Sequence, residues 1–262
     1  MTSFTFNLRH FNGMAPTLNT VDEWQKWHAC KQDLPNSGDI TTTYVPASLK
    51  RRSSLGVKQA LEVALACFAQ SAENLVIDYT VFASQHGEVN RVQSLLRQIA
   101  QKELLSPMDF SQSVHNTASG LLSLSQGIKT NINSIAGGKD TFFMAVIEAL
   151  TYLQLNPHSQ VLLVIYDEPL AESYKSYHCD YDQQYACAFV MDNYAHTTKE
   201  GFTCRLDLSP STKAEIKKDI AAQTAVFPPA LIFLAWVCDQ FDNNLKQDSA
   251  FWQFNWYKNN GE

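Results

Sequence analysis

The stretch Thr141 to Leu155 would place apolar side chains on nearly every face of a helix. Such a helix has no solvent side and keeps its place only when other elements cover it all round. Shortly downstream, Val161 to Ile165 is an unbroken apolar run, the pattern of a parallel strand buried on both faces. The two segments together call for a layered α/β architecture with a large shared core.

The rest of the chain fits that frame. Phe4 to Leu8 alternates like a strand, and Asn12 to Pro16 reads as a loop. Thr20 to Cys30 has the spacing of a short helix, with Trp24 and Trp27 on one face and Thr20 as its cap. Ser53-Ser54 starts a second helix, carrying Leu55, Ala60, Leu61, Ala64, Leu65 and Phe68. Leu75 to Phe82 is β-rich, and Glu88 to Lys102 bears the helical stripe Val92, Leu95, Leu96 and Ile99. A small-residue helix from Thr117 to Gln126 precedes a short strand, Thr130 to Ala136. Tyr185 to Met191 and Phe202 to Leu208 read as antiparallel neighbours, and Pro228 to Asp239 as a last helix. The expectation is one domain over 1–262, with a mainly parallel mixed sheet around a buried central helix.

Composition removes several function classes. With 20 basic against 26 acidic side chains in 262 residues, the chain lacks the broad positive footprint of a nucleic-acid binder. Its longest strongly apolar stretch, Ala230 to Cys238, is far too short to span a bilayer, and the first residues lack a signal-peptide layout. The six cysteines are scattered with no C-x-x-C pair, which fits a reduced cytoplasmic protein. His178-Cys179-Asp180 with Asp182 matches no standard zinc spacing, so neither metal nor cofactor is expected.

The segment best suited to carry chemistry is the turn Gly137-Gly138-Lys139-Asp140-Thr141 between a strand and the buried helix. A turn there delivers a residue to a helix N-terminus, a natural seat for a nucleophile or a phosphate. The phosphate-loop pattern fails twice: Asn133 stands where its first glycine belongs, and Asp140 replaces the magnesium-binding hydroxyl. The G-x-S-x-G elbow is absent. An ordinary Gly-Gly turn with an exposed lysine remains the local alternative.

Three motifs add a resemblance. Lys50-Arg51-Arg52-Ser53-Ser54 before an alanine-rich helix resembles the Arg-Arg-x-Ser helix start of β-ketoacyl synthases. Ser113-Val114-His115-Asn116, followed by Gly120, is similar to the loop and helix that precede the nucleophile strand in that family. Thr141 to Leu155 and Val161 to Ile165 match its nucleophile helix and next strand. Over about residues 40–195 the chain resembles the short, ketosynthase-like N-terminal-domain branch, which includes chain-length-factor subunits of aryl-polyene-type clusters.

That resemblance implies a thiolase-like half fold with the second half missing or truncated. It also puts Lys139 near the position of the nucleophilic cysteine, where no residue from Gly137 to Thr141 is a thiol. Condensation needs a thiolate there and two histidines from the second half. The implied role is therefore noncatalytic: a heterodimer partner of a ketosynthase in polyene or fatty-acid-type biosynthesis, meeting acyl carrier protein only indirectly. Family dimers join through the strand before the nucleophile. This makes Asn131, Asn133 and Ile135 interface candidates, and Ser113, His115, Asn116, Asp140, Phe142, Phe143 and Met144 candidates for the acyl tunnel. Three readings stay open at this point. One is a stand-alone homodimer that binds acyl thioesters or carrier protein, and one is nonstandard chemistry at Lys139, Asp140 or His115. In the third, His115 is a structural histidine bonded to backbone. The aromatic run Phe251 to Tyr257 either packs on its own domain or docks on a partner.

Overall fold

In the computed structural model, residues 2–30, 33–71, 75–177, 181–194, 201–211 and 227–259 are described. They contain strands β1 (Thr2–Met14), β2 (Tyr79–Ala83), β3 (Asn131–Ile135), β4 (Gln160–Asp167), β5 (Tyr185–Asp192), β6 (Phe202–Pro210), β7 (Asn244–Asp248) and β8 (Trp252–Asn259). The helices are α1 (Val21–Cys30), α2 (Ala47–Lys50), α3 (Leu55–Gln70), α4 (Val89–Ala100), α5 (Pro107–Ser111), α6 (Thr117–Gln126), α7 (Thr141–Leu155) and α8 (Pro229–Cys238).

All eight strands join one sheet in the order β3-β2-β4-β5-β1-β6-β8-β7. β2 pairs in parallel with β3 and β4, but the other five pairings are antiparallel. The expectation of a mainly parallel sheet is corrected accordingly. Helical crossovers link β2, β3 and β4, and parallel neighbours require such connections. β4 and β5 are antiparallel neighbours, and helix α8 lies in the chain between β6 and the antiparallel pair β7–β8. β5 and β6 are not neighbours, because β1 lies between them. That long strand runs on through Gly13 and Met14, into the expected loop, pairing its first half with β6 and its second with β5.

The pleat sorts the core into two clusters. Leu162, Val164 and Tyr166 of β4, with Ala186, Ala188 and Val190 of β5, meet Val57, Ala60, Leu61 and Ala64 of α3. Val161, Leu163 and Ile165, with Cys187, Phe189 and Met191, meet α7, α8 and the α1 tryptophans. Period-2 alternation thus puts one helix layer on each face. Local signals set the helix starts. Ser54 Oγ accepts the Val57 N–H at 3.2 Å. At α1, Thr20 Oγ1 accepts Glu23 N–H while Glu23 Oε2 accepts Thr20 N–H at 2.9 Å, a reciprocal capping box.

The sheet curls around α7. β3 and β8 are six places apart in the sheet, yet the Asp140 carboxylate, just before α7, accepts the N–H of Ala250 in the β7–β8 turn at 3.2 Å. Phe254 and Trp256 of β8 are fully buried, with the Phe143 and Phe254 rings 4.6 Å apart. Phe254 and Trp256 of the C-terminal aromatic run therefore belong to this chain's own core, while Phe251 and Trp252 stay exposed.

Candidate functional site

Parallel strands β2, β3 and β4 end together, and the loops after them form the site. Open α/β sheets bind ligands beyond the carboxyl ends of their parallel strands. The β2 and β4 loops are tied by Asp167, whose carboxylate accepts Ser84 Oγ–H at 2.7 Å and the N–H groups of Gln85 and His86 at 3.1 and 3.2 Å. Burial pushes that carboxyl above its ordinary range, and these three donors pull it back only in part. Glu88 and Glu168 lie beside it and are raised for the same cause. Glu88 accepts Ser54 Oγ–H and Arg91 Nε–H, and Glu168 accepts Gly56 N–H and an Asn90 amide hydrogen.

His115 Nε2 lies 2.9 Å from the Ser84 carbonyl oxygen and packs on Gly87. Gly87 has φ +54°, and a Cβ there would lie 2.7 Å from the His115 ring. This is the structural reading of His115, a ring holding the β2 loop against the segment ahead of α6. Ser113 Oγ donates to the Phe110 carbonyl at 2.8 Å. Asn116 is exposed at the start of α6 without a side-chain cap bond.

The β3 loop enters α7 through Gly138, whose φ of +58° suits glycine. Thr141 Oγ1 accepts Gly137 N–H at 3.0 Å and donates to the Gly138 carbonyl at 2.7 Å, which fixes the turn. Lys139 is exposed there, and its carbonyl accepts the Tyr181 hydroxyl at 3.4 Å. Among the tunnel candidates, Phe142 and Phe143 turn into the core against Phe233, Phe254 and Trp256, while Met144 faces outward. On β3, Asn131 is exposed and Asn133 and Ile135 are half-buried. The structure therefore brings Lys139, Asp140 and Met144 together at one turn and Ser113 and His115 at the neighbouring loop, with the β3 residues along the sheet edge.

The thiols are placed elsewhere. Cys67, Cys187, Cys204 and Cys238 are buried in the core, and burial pushes their pKa values up, that of Cys238 to about 12. Thiols held that strongly in the neutral form are poor nucleophiles. Cys30 is exposed on α1, and its Sγ donates to Lys26 O within its own helix. His178, Cys179 and Asp180 lie outside the described residues, among which no cluster of His, Cys, Asp and Glu is arranged to hold a metal. Among the same residues, no helix is long and apolar enough to cross a membrane.

Sequence reading missed two polar features. One is Asp167-Glu168, whose only signal was an acidic pair closing an apolar strand. The other is Glu148, the single charged residue within Thr141–Leu155, which accepts the Tyr79 hydroxyl at 2.5 Å and an Asn133 amide hydrogen at 3.2 Å. Burial and the neighbouring carboxylate push Tyr79 up to about 12.

Comparison with known proteins places this geometry. The described fold is similar, at a TM-score of 0.76 and 25% identity, to a chain of the ketosynthase ApeO in complex with its chain length factor ApeC from Xenorhabdus doucetiae, covering 97% of this chain and 99% of that one. It also superposes on a chain of the ishigamide ketosynthase/chain length factor, with a TM-score of 0.62, 14% identity, and 83% and 71% of the two chains covered. A chain of the AntDE:AntF assembly, a type II acyl-carrier protein with its ketosynthase, gives 0.67 at 11% identity over 98% and 99%. At such low identity the last two matches speak for the thiolase-like fold alone. A search of curated proteins finds no match. The model of the β-ketoacyl synthase N-terminal domain matches residues 24–256, which leaves out β1 and takes in β2 to β7, the first part of β8 and both helix layers. The chain belongs to the β-ketoacyl synthase N-terminal-domain family.

Proposed function

We propose that the chain is a noncatalytic, chain-length-factor-like subunit that pairs with a ketosynthase and shapes its acyl tunnel in polyene or fatty-acid-type biosynthesis. The observation that carries this reading is the turn before α7. Its backbone is held as a nucleophile turn would be, yet it presents Lys139 in place of a thiol. A condensing enzyme transfers its acyl chain to a thiolate at that point. The buried cysteines of the described residues offer no substitute. Two further observations support a subunit role. β3 ends the sheet with its outer edge open among the described residues, and the 25%-identical relative is a chain of a ketosynthase and chain length factor complex.

In this reading Asn131, Asn133 and Ile135 lie at the subunit interface. Met144, Asp140, Ser113, His115 and Asn116 lie toward the partner's tunnel. Phe142 and Phe143 back Met144 from within the core and help fix how far it projects. Acyl carrier protein is met through the ketosynthase.

Co-expression with each ketosynthase of its own genome tests the reading. The expected result is 1:1 copurification with one of them, with the native mass of a heterodimer. A well-behaved homodimer that ignores every ketosynthase would overturn it in favour of a stand-alone acyl-thioester or carrier-protein binder. Within the complex, Lys139→Ala should leave product formation intact. Abolished turnover, with assembly unchanged, would assign Lys139 to the chemistry.

A further inference from the structure

The β3 edge carries a device that decides what can pair with it. In a parallel ladder, alternate residues turn both backbone groups to opposite sides. Ser84 N–H donates to the Ile135 carbonyl at 3.1 Å, so 131, 133 and 135 face β2 and Ile132 and Ser134 face outward. Of the two outward N–H groups, that of Ser134 is already taken: Asn133 Oδ1 accepts it at 2.9 Å. The same amide donates through Nδ2 to Glu148 Oε1 at 3.2 Å, and Tyr79 Oη–H holds that oxygen from the other side. A side chain anchored on a buried tyrosine and a carboxylate thus covers the middle of the open edge.

Self-pairing would have to break this arrangement. An antiparallel match about a two-fold axis centred on Asn133 sets Ile132 against Ser134 and each Asn133 against its copy, with Cα atoms about 4.5 Å apart. Both Glu148 carboxylates then sit by the axis on the α7 face. The nearest charged residues along the chain are Lys129 and Lys139, the closer about 13 Å from Asn133 by strand rise. No cation pairs with Glu148 among the described residues. Like charges within about one Debye length repel across a half-buried seam.

We infer that Asn133 and Glu148 guard the β3 edge against a second copy of this chain and reserve it for a partner strand presenting a hydrogen-bond donor or a cation to Glu148. Such a partner gives Glu148 a new donor as Asn133 swings off the Ser134 N–H, so the edge opens without leaving a carboxylate unpaired. This rests on the reading of β3 as the pairing edge.

Sedimentation velocity of the chain alone, at low and high salt, tests it on the wild type, Glu148→Gln and Asn133→Ala. Glu148→Gln should self-associate about tenfold more tightly at low salt. The wild type should gain association with salt while Glu148→Gln does not, a response that mere loosening of the fold would not produce. Asn133→Ala, which uncovers the Ser134 N–H, should gain as well. Both variants matching the wild type at both salts would overturn the guard. Ile132→Pro, which removes the other outward N–H, separates the two readings, with circular dichroism confirming the fold. If Ile132→Pro ends ketosynthase copurification while Glu148→Gln stays as weak a self-binder as wild type, the edge stands and the guard falls. If the gain of Glu148→Gln survives Ile132→Pro, association runs elsewhere and the edge reading itself falls.

Discussion

The two ends of the sheet spend their side chains in opposite ways. Toward one end, β8, just inside the edge strand β7, buries Phe254 and Trp256 completely, and Trp256 lies 4.6 Å from Phe233 while its Nε1–H donates to Gln247 Oε1. At the other, β3 carries two asparagines and a serine, pairs with no strand on its outer side among the described residues, and has its Ser134 N–H covered by Asn133 Oδ1. The aromatic segment looks adhesive in sequence, and folding spends its Phe254 and Trp256 in the core. The short polar strand looks unremarkable and is left available. Adhesiveness on paper is a poor guide to interfaces, because what matters is which groups folding leaves unspent.

The largest expected effect tests the closed end. Trp256→Ala should cost about 3–5 kcal/mol of folding free energy, seen as a lower urea midpoint of the isolated chain. Were β8 a docking strand instead, the variant would keep its midpoint and lose only partner binding. The comparison would then collapse.

A mid-sized effect concerns charge buried near the open end. Glu88, Asp167 and Glu168 have folded-state pKa values raised by burial above the ordinary carboxylate range near 4. A raised value means the folded state holds its proton more tightly than the unfolded one. The stabilising contribution is complete below the unfolded pKa and is lost as pH climbs through the folded values. The thermal unfolding temperature should therefore fall as pH rises above the ordinary carboxylate range near 4. Glu168→Gln, which keeps an acceptor for Gly56 N–H, should flatten part of that slope. A slope unchanged by Glu168→Gln would mean that this carboxylate is as well solvated as an exposed one.

Much of the fold was legible in sequence because single-element signals were strong. The all-round apolar pattern placed α7 at Thr141–Leu155, as found, and Ser54 capped α3 as its position implied. Strand neighbours were not legible. Nothing local in Tyr185–Met191 or Phe202–Leu208 says that β1 would insert between them, since pairing is decided by non-local fit and a run of thirteen residues can serve two partners. At the site, the turn at Gly137–Thr141 and the backbone-bonded His115 could be read from residue types. The Asp167 tie between loops and the Glu148 relay could not, because each joins residues about 80 or 70 positions apart. The same limit hid the Asp140–Ala250 contact, which exists only because the sheet curls.

The smallest effect should come from the apolar skin near the open end. α4 and α5 and the turn between them expose Leu96, Ile99, Leu104 and Phe110, with Leu104 99% exposed. A side chain with no neighbours contributes no packing, so Leu104→Ser should change folding free energy by no more than about 0.5 kcal/mol. It should still lower light scattering by concentrated solutions of the lone chain, because exposed apolar surface drives association whatever its role in stability. The His115–Ser84 bond already ties the segment after α5 to the β2 loop without help from that skin. A loss of about 2 kcal/mol or more in Leu104→Ser would make the skin part of the core. The open end would then be taken up by its own fold as fully as the aromatic one.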